Sequence, residues 1–486
     1  MNLILENNGF LIALPEIFLS LWILLFIPLG VYTGGEKQAR QSYFSLYSIF
    51  GLIGAFILLI SGDYRAARAF NDLIVVDRLV IYMKSLVLLC GILILIISEK
   101  YRSIEKLYFF EYPVLILFSI LGMLIMISAN NFITLYMGLE LQSLSLYVLA
   151  ALKKDSQKSS EAGLKYFILG ALASCFLLFG ISLLFGIAGT ISFTEISIYL
   201  SKQSFDSPLL VLSVVMILAA IAFKISIAPF HMWTPDVYEG APTSITAFFA
   251  IVPKIAAFAI LIRILFISFI EISYIWQQIL LLMAILSIFV GSFGALLQDN
   301  IKRLMAYSTI GNIGFILLAL SMATPVGLES SLIYITIYII TSLGVFTFIL
   351  SMEKEHVFLD KISSFSGMAK SNPFYSFCFA ILLLSLAGLP PLAGFFAKFY
   401  VLRSVVLEGM IWVAVIGVIG SVISSYYYLK IVKIMYLDES EDSLKIESKN
   451  YIKFILGFSS IAILFFVFYA ETIIILCSYI SKAVVL

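Results

Sequence analysis

Residues 218–236, LAAIAFKISIAPFHMWTPD, set a lysine inside an apolar run and follow it, five residues later, with a proline. A run of about twenty apolar residues has the length of a membrane-crossing helix. Pro229 within such a run removes a backbone hydrogen bond and frees carbonyl groups. In lipid those groups must be satisfied again by protein or by water. An ionisable residue at that depth is costly enough that it reads as functional. The stretch therefore predicts a spanning helix broken inside the membrane, with Lys224 beside the break.

The rest of the chain requires the same solvent. Of 486 residues, 62% are hydrophobic and 12% charged, with mean hydropathy +1.09. A soluble domain of this length needs far more charge to cover its surface. The longest polar segment, Leu437 to Tyr451, is too short to bury a core. The net charge of +1 argues against a nucleic-acid partner. Cys90, Cys175, Cys378 and Cys477 fall in separate apolar runs without a CxxC pair, so four buried thiols are expected, with no disulfide or iron–sulfur site. The two histidines, His231 and His356, can hardly supply a pair of haem ligands from helices. No redox centre, metal or bound cofactor is expected in this chain. The start, MNLILENNGFLIALPEIF, has no basic n-region, cleavage site or Arg/Ser-rich character, so the first helix is expected to be retained without a cleaved presequence.

Apolar runs place about fourteen spans, near 10–32, 41–61, 78–98, 111–129, 131–152, 162–187, 208–231, 242–269, 274–297, 301–322, 328–351, 373–404, 409–436 and 452–478. The segment Ile191–Lys202 is too short and too polar to cross, and reads as an amphipathic surface piece. Of the thirty Lys and Arg residues, eighteen fall in loops after odd-numbered spans and six in loops after even-numbered spans or at the termini. That alternation is the positive-inside pattern, and a single missed span would scramble it. Both termini are expected on the side opposite the basic loops. The remaining six, Lys84, Lys165, Lys224, Lys254, Arg263 and Lys398, lie within spans.

An internal repeat is legible. Residues 131–140 (NFITLYMGLE) can be written over 300–309 (NIKRLMAYST) without a gap, and the break at Pro229 in span seven has a counterpart at Pro390–Pro391 in span twelve, five spans later. Paired broken helices point to transporters built from inverted repeats. Five spans is an odd number, so the second copy enters the membrane upside down. The expected organisation is an N-terminal three-helix segment (1–110), a first repeat (111–270, spans 4–8), a second inverted repeat (271–436, spans 9–13), and a polar loop with the last helix (437–486). It implies two half-channels, one open to each side.

Candidate site residues follow from burial cost. Glu140, in YMGLELQSLSLYVL, lies mid-span and must be protonated or paired. Lys224, Lys254 (after Pro253) and Lys398 (in GLPPLAGFFAKFYVL) are desolvated lysines able to bind and release a proton. A structural salt bridge is the alternative for any one of them. Glu161 and Lys165 are four residues apart in the favourable order for an ion pair, which serves stability or proton uptake equally well. His231 is a relay or a hydrogen-bonded structural residue. Lys84 and Arg263 read as snorkelling or headgroup-binding side chains.

At these residues the chain resembles the antiporter-like proton-pumping subunits of respiratory complex I, most closely the NADH dehydrogenase subunit 2 family. The matching stretches are GLELQSLSLY (138–147), EAGLKYFILGALAS (161–174), FKISIAPFHMWTPDVYEGAP (223–242), NIKRLMAYSTIG (300–311) and LAGLPPLAGFFAKFYVL (386–402). The resemblance implies fourteen helices in two inverted five-helix repeats. It assigns Glu140 and Lys224 as the paired glutamate and lysine, Lys254 as the connecting lysine, and Lys398 as the lysine of the second half-channel. Where the family often carries histidine, this chain has Asn312, in STIGNIGF, so water ordering rather than titration is expected there. The resemblance also implies a complex that oxidises NADH through FMN and iron–sulfur clusters in other subunits, reduces ubiquinone and pumps protons. Its partners would be neighbouring antiporter-like and small hydrophobic membrane-arm subunits, and lipids. Richness in Phe and Ile suits a mitochondrial inner membrane, with a bacterial plasma membrane as the alternative. The rival functions are an Mrp-type cation/proton antiporter subunit and a structural scaffold.

Overall fold

The computed structural model describes residues 9–33, 38–62, 67–107, 109–202, 207–354, 357–439, 446 and 449–485. Lys37, Arg65, His356 and Lys445, and much of the polar segment after Leu437, lie outside the described residues. The fold is all-helical. Its main helices are α1 (Leu14–Thr33), α2 (Gln38–Ser61), α3 (Arg78–Ile104), α4 (Glu111–Ser128), α5 (Phe132–Ala150), α6 (Gln157–Ala188), α7 (Pro208–Ile225), α8 (Thr243–Arg263), α9 (Ser273–Leu296), α10 (Ile301–Leu320), α11 (Pro325–Ser351), α12 (Pro373–Ala387), α13 (Ala393–Leu407), α14 (Ile411–Leu437), α15 (Asn450–Leu464) and α16 (Phe466–Val485).

Among the described residues, thirteen helices are long and apolar enough to cross a membrane: α1 to α11, α14 and α16. The remaining expected crossing, span twelve, is present as α12 and α13, fifteen residues each, parted at Gly388–Leu392. Span seven is likewise broken: α7 stops at Ile225, and a turn leads to the short helix Trp233–Gly240. Cis peptide bonds precede Pro229 and Pro391. The last expected span, 452–478, is corrected to two helices interrupted at Phe465 and continuing to Val485. The segment expected to lie amphipathically forms a helix, Phe193–Leu200, that buries Phe193, Ile196 and Leu200 on one face and exposes Ile198.

The chain divides into two compact units. One comprises Met1–Ile225 with Gly240–Trp276, the other Ser226–Glu239 with Gln277–Leu486. Within the first, α8 (TSITAFFAIVPKIAAFAILIR) is apolar all round and buried throughout, as expected of a helix with no polar face. In the second, α11 plays that part.

The repeat expected from Asn131 and Asn300 is visible in the backbone. Both asparagines cap their helices: Asn131 Oδ1 accepts from Thr134 N at 2.7 Å, and Asn300 Oδ1 from Lys302 N at 2.9 Å. Asn131 bridges Ser192 and Asn300 bridges Lys361, at the same sequence separation in each copy. The helix crossings agree in register. A Cβ on Gly122 of α4 would stand under 3.0 Å from the backbone of Gly138 and Gln142 of α5. One on Gly291 of α9 would meet Tyr307 and Gly311 of α10 in the same way. Small residues let apolar helices approach where lipid gives no hydrophobic drive to associate. Thus α4 and α5 correspond in register to α9 and α10.

Candidate functional site

In the first unit, α5 presents Glu140, Ser143 and Tyr147 at spacings of three and four, which is one helical face. Lys224, the penultimate residue of α7, is buried against that face. Its ammonium donates to Ser143 Oγ at 2.8 Å and Tyr147 Oη at 3.1 Å, and lies 5.5 Å from the centre of the Tyr147 ring. Glu140 accepts instead from Ser174 Oγ of α6. The expected Glu140–Lys224 pair is therefore not a direct ion pair among the described residues. Two hydroxyls of α5 are in contact with the ammonium instead. Beside Lys224 a small cavity is also lined by Gln142, whose buried Oε1 has no hydrogen-bond partner among the described residues. Lys224 and Gln142 are the polar residues of an otherwise apolar lining, and an unmet amide oxygen there marks a place for a water.

Lys254 follows Pro253 in α8. Its ammonium donates to Ile225 O at 2.8 Å and reaches Lys224 O at 3.4 Å. These are carbonyls left at the end of α7 where the helix breaks, so the backbone groups freed by the break are met by a lysine. A cation there also complements the negative end of the helix dipole.

The second unit repeats the device. Lys398 of α13 donates to Ala387 O, the last residue of α12, at 2.9 Å, and to Ser421 Oγ of α14 at 2.9 Å. Its ammonium stands 5.2 Å from the centre of the Phe315 ring. Gly388 adopts φ +88° at the break and lies against the lysine stem, where a side chain would collide. The cavity beside Lys398 is lined by Asn312, Tyr334, Tyr338 and Thr341. Asn312 accepts from Tyr334 Oη at 2.8 Å and donates to Ser308 O at 2.8 Å, and Ser308 meets the Tyr428 hydroxyl. Asn312 thus belongs to a buried hydroxyl network around the lysine cavity.

The remaining candidates separate. Glu161 and Lys165 form an ion pair at 2.7 Å, but their side chains are 59% and 42% exposed. Such a pair is worth a few tenths of a kcal/mol to the helix, roughly 0.3–0.5, and stands apart from the buried hydrogen bonds above. His231 lies in the turn after α7, half-buried, with Nδ1 lacking a hydrogen-bond partner among the described residues.

Three expectations are overturned. Lys84 neither snorkels nor reaches a headgroup: it is fully buried in α3 and paired with Glu16 of α1. Arg263 is likewise buried and pairs with Asp77 at 2.6 Å, the residue that caps α3. Cys175 is exposed on α6 rather than buried, whereas Cys90, Cys378 and Cys477 are buried. Among the described residues, no group of three His, Cys, Asp or Glu side chains could hold a metal ion.

Reasoning from sequence missed Ser143, Tyr147, Ser174 and Ser421. The three-and-four spacing from Glu140 could have found the first two. Nothing local marks the others.

Comparison with known proteins agrees with this architecture. The family described as NADH:quinone oxidoreductase/Mrp antiporter, transmembrane, matches residues 129–424. The chain is 44% identical over 473 residues to NADH-quinone oxidoreductase subunit N of Parvibaculum lavamentivorans, covering 97% of each. It is 45% identical over 459 residues to subunit N of Paramagnetospirillum magneticum, covering 93% of each. A chain of respiratory complex I from Thermus thermophilus with bound aureothin superposes with a TM-score of 0.81 at 27% identity, over 96% of this chain and 99% of that one. A chain of the Mrp complex from Dietzia shares the fold, with a TM-score of 0.82 at 19% identity over 97% of each. The relatives carry the name subunit N and are bacterial, where the sequence alone suggested subunit 2 and a mitochondrion.

Proposed function

The chain belongs to the NADH:quinone oxidoreductase/Mrp antiporter membrane family, and from that premise we propose that it serves as the N subunit, the bacterial counterpart of subunit 2, of a proton-translocating NADH:quinone oxidoreductase. The observation that carries the reading is the treatment of the two helix breaks. In each, a buried lysine donates to the carbonyl that the break exposes, Lys254 to Ile225 O and Lys398 to Ala387 O, and a small cavity lies beside Lys224 in the first unit and Lys398 in the second. Broken helices at matching positions of two repeats are the form of site that transporters use for cations.

The chemistry assigned to this chain is proton binding and release. Lys224 can give a proton to water in the cavity beside Gln142 and leave as neutral amine held by the Ser143 and Tyr147 hydroxyls, which donate as readily as they accept. Glu140 lies on the same face of α5 as those two hydroxyls and is assigned here as the carboxylate coupled to the lysine. Lys254 stabilises the broken end of α7 and is the connecting station. Lys398 is the corresponding donor of the second unit, with Asn312 and the tyrosine hydroxyls ordering water. Glu161, Lys165 and His231 serve uptake at the periphery. FMN, iron–sulfur clusters and ubiquinone belong in this reading to other subunits. Neighbouring antiporter-like and small hydrophobic subunits are its membrane partners, together with lipid. The bacterial relatives favour a plasma membrane over a mitochondrial one.

The test is proton pumping against NADH:quinone turnover in membranes carrying Lys224→Ala. Loss of pumping with the complex assembled is expected. Normal pumping per electron would remove Lys224 from the route. The shared fold of the Mrp chain favours a second reading, a cation/proton antiporter subunit. Purification of this chain without redox subunits would favour it.

A further inference from the structure

A second buried charge pair stands outside the matched region 129–424, in the N-terminal helices of the first unit. Glu16 of α1 is 5% exposed and Lys84 of α3 is not exposed at all. The Lys84 ammonium donates to Glu16 Oε1. Ser128, the last residue of α4, lies 3.3 Å from the same oxygen and 3.2 Å from Leu124 O, so its single hydroxyl proton can serve only one acceptor at a time. Glu16 Oε2 is buried with no hydrogen-bond partner among the described residues.

That asymmetry is unlike a structural ion pair. Two desolvated charges are tolerated when further hydrogen bonds meet the remaining lone pairs. The pair Arg263–Asp77, also on α3, meets this condition: Asp77 Oδ2 takes the guanidinium and Oδ1 caps Val80 N at 2.9 Å. Glu16 has one oxygen facing two donors and the other bare. A bare buried carboxylate oxygen marks a place for a proton or a water. Ser128 lies three residues before Asn131, the cap of α5, which carries Glu140.

We propose that Glu16, held by Lys84 and switched by the Ser128 hydroxyl, is a further proton-binding station of the first unit. The inference rests on the proton-translocating reading given above. A proton from water of the translocation path forms an O–H bond at Glu16 Oε2 and neutralises the carboxylate, while Lys84 keeps its charge. On release that bond breaks, the proton returns to water, and the ion pair re-forms. No electrons move.

The experiment uses the assembled complex in sealed membrane vesicles and compares Glu16→Gln, Lys84→Met and the double variant. Protons pumped per electron and redox-induced infrared difference spectra are recorded for each. Pumping per electron is expected to fall at least about twofold in Glu16→Gln and in the double variant. A protonated-carboxyl C=O band is expected to vanish in Glu16→Gln and to shift in Glu16→Asp. A merely structural pair predicts the reverse: single variants damage assembly, and the double variant, with both charges gone, restores assembly and normal pumping. That result overturns the proposal. If no variant but Glu16→Asp assembles, the infrared band decides, and its absence from wild type or indifference to Glu16→Asp overturns the proposal. Normal pumping in the Glu16 variants alongside loss in Lys224→Ala would sink this inference alone. A wild-type complex that does not pump would sink the functional reading first.

Discussion

At the scale of single residues, the Lys224 ammonium is held by hydroxyls. Lys224 has two hydrogen-bond acceptors, Ser143 and Tyr147, and both can reverse their O–H groups when the lysine gives up its proton. A direct carboxylate partner would hold the ammonium too firmly for that exchange. Tyr147→Phe keeps the ring under Lys224 and removes one acceptor. A hydrogen bond of this kind contributes about 0.5–1.5 kcal/mol net, and more to a charged group. Pumping per electron is expected to fall roughly two- to tenfold with the complex assembled. Unchanged pumping in Tyr147→Phe vesicles would show that the ring alone supports the lysine. The lysines themselves were legible because each stands alone in an apolar run. Their partners were not, because serine and tyrosine occur throughout such helices and only tertiary approach selects which one meets the charge. Glu16 escaped notice for a related reason: it falls near the start of the first span, where a carboxylate reads as facing water, and only α3 and α4 reveal it as buried.

At the scale of helices, length and breaks could be read from the sequence, whereas faces could not. Twenty-residue apolar runs and prolines locate the spans and both interruptions, since those properties are local. A helix apolar on every side carries no periodic signal, so burial is decided by where small residues permit contact. Gly122 and Gly138 decide it for α4 and α5. Gly122→Leu would drive a side chain into the backbone of α5, and overpacking of that kind costs about 1–3 kcal/mol or more. Loss of the assembled complex on native gels is expected. By contrast, a Cβ at Gly186 in α6 meets nothing within 4 Å. Gly186→Ala should leave assembly intact and stabilise the helix by up to about 0.5–1 kcal/mol. Equal damage from both substitutions would mean that glycine is needed for helix flexibility and not for close approach. The interruption at Phe465 had no sequence signal: no proline or glycine stands there.

At the scale of the whole molecule, the two units contain similar parts: a capping asparagine and a glycine crossing in the same sequence register, and a broken helix with a lysine on its exposed carbonyl, carried by the next helix in the first unit and by the same span in the second. They differ in what surrounds the lysine. The first unit adds Glu140, a half-buried carboxylate on the α5 face that also carries Ser143 and Tyr147, whereas the second surrounds Lys398 with Asn312 and tyrosines. Among the described residues the lining of the Lys398 cavity holds no carboxylate, so on the proposed reading its proton affinity is set from elsewhere in the chain. On the proposed reading the two units act in series, with the charge change at Glu140 and Lys224 preceding the proton movement at Lys398. Series action has a quantitative signature in a double-variant cycle. Lys224→Ala and Lys398→Ala should each abolish pumping through this subunit, and the double variant should pump no less than either one. Independent half-channels would instead give two partial losses that add. Proton-to-electron ratios of the three variants, taken at equal NADH:quinone turnover, distinguish the cases, and additive losses would refute series coupling while leaving each lysine its own role.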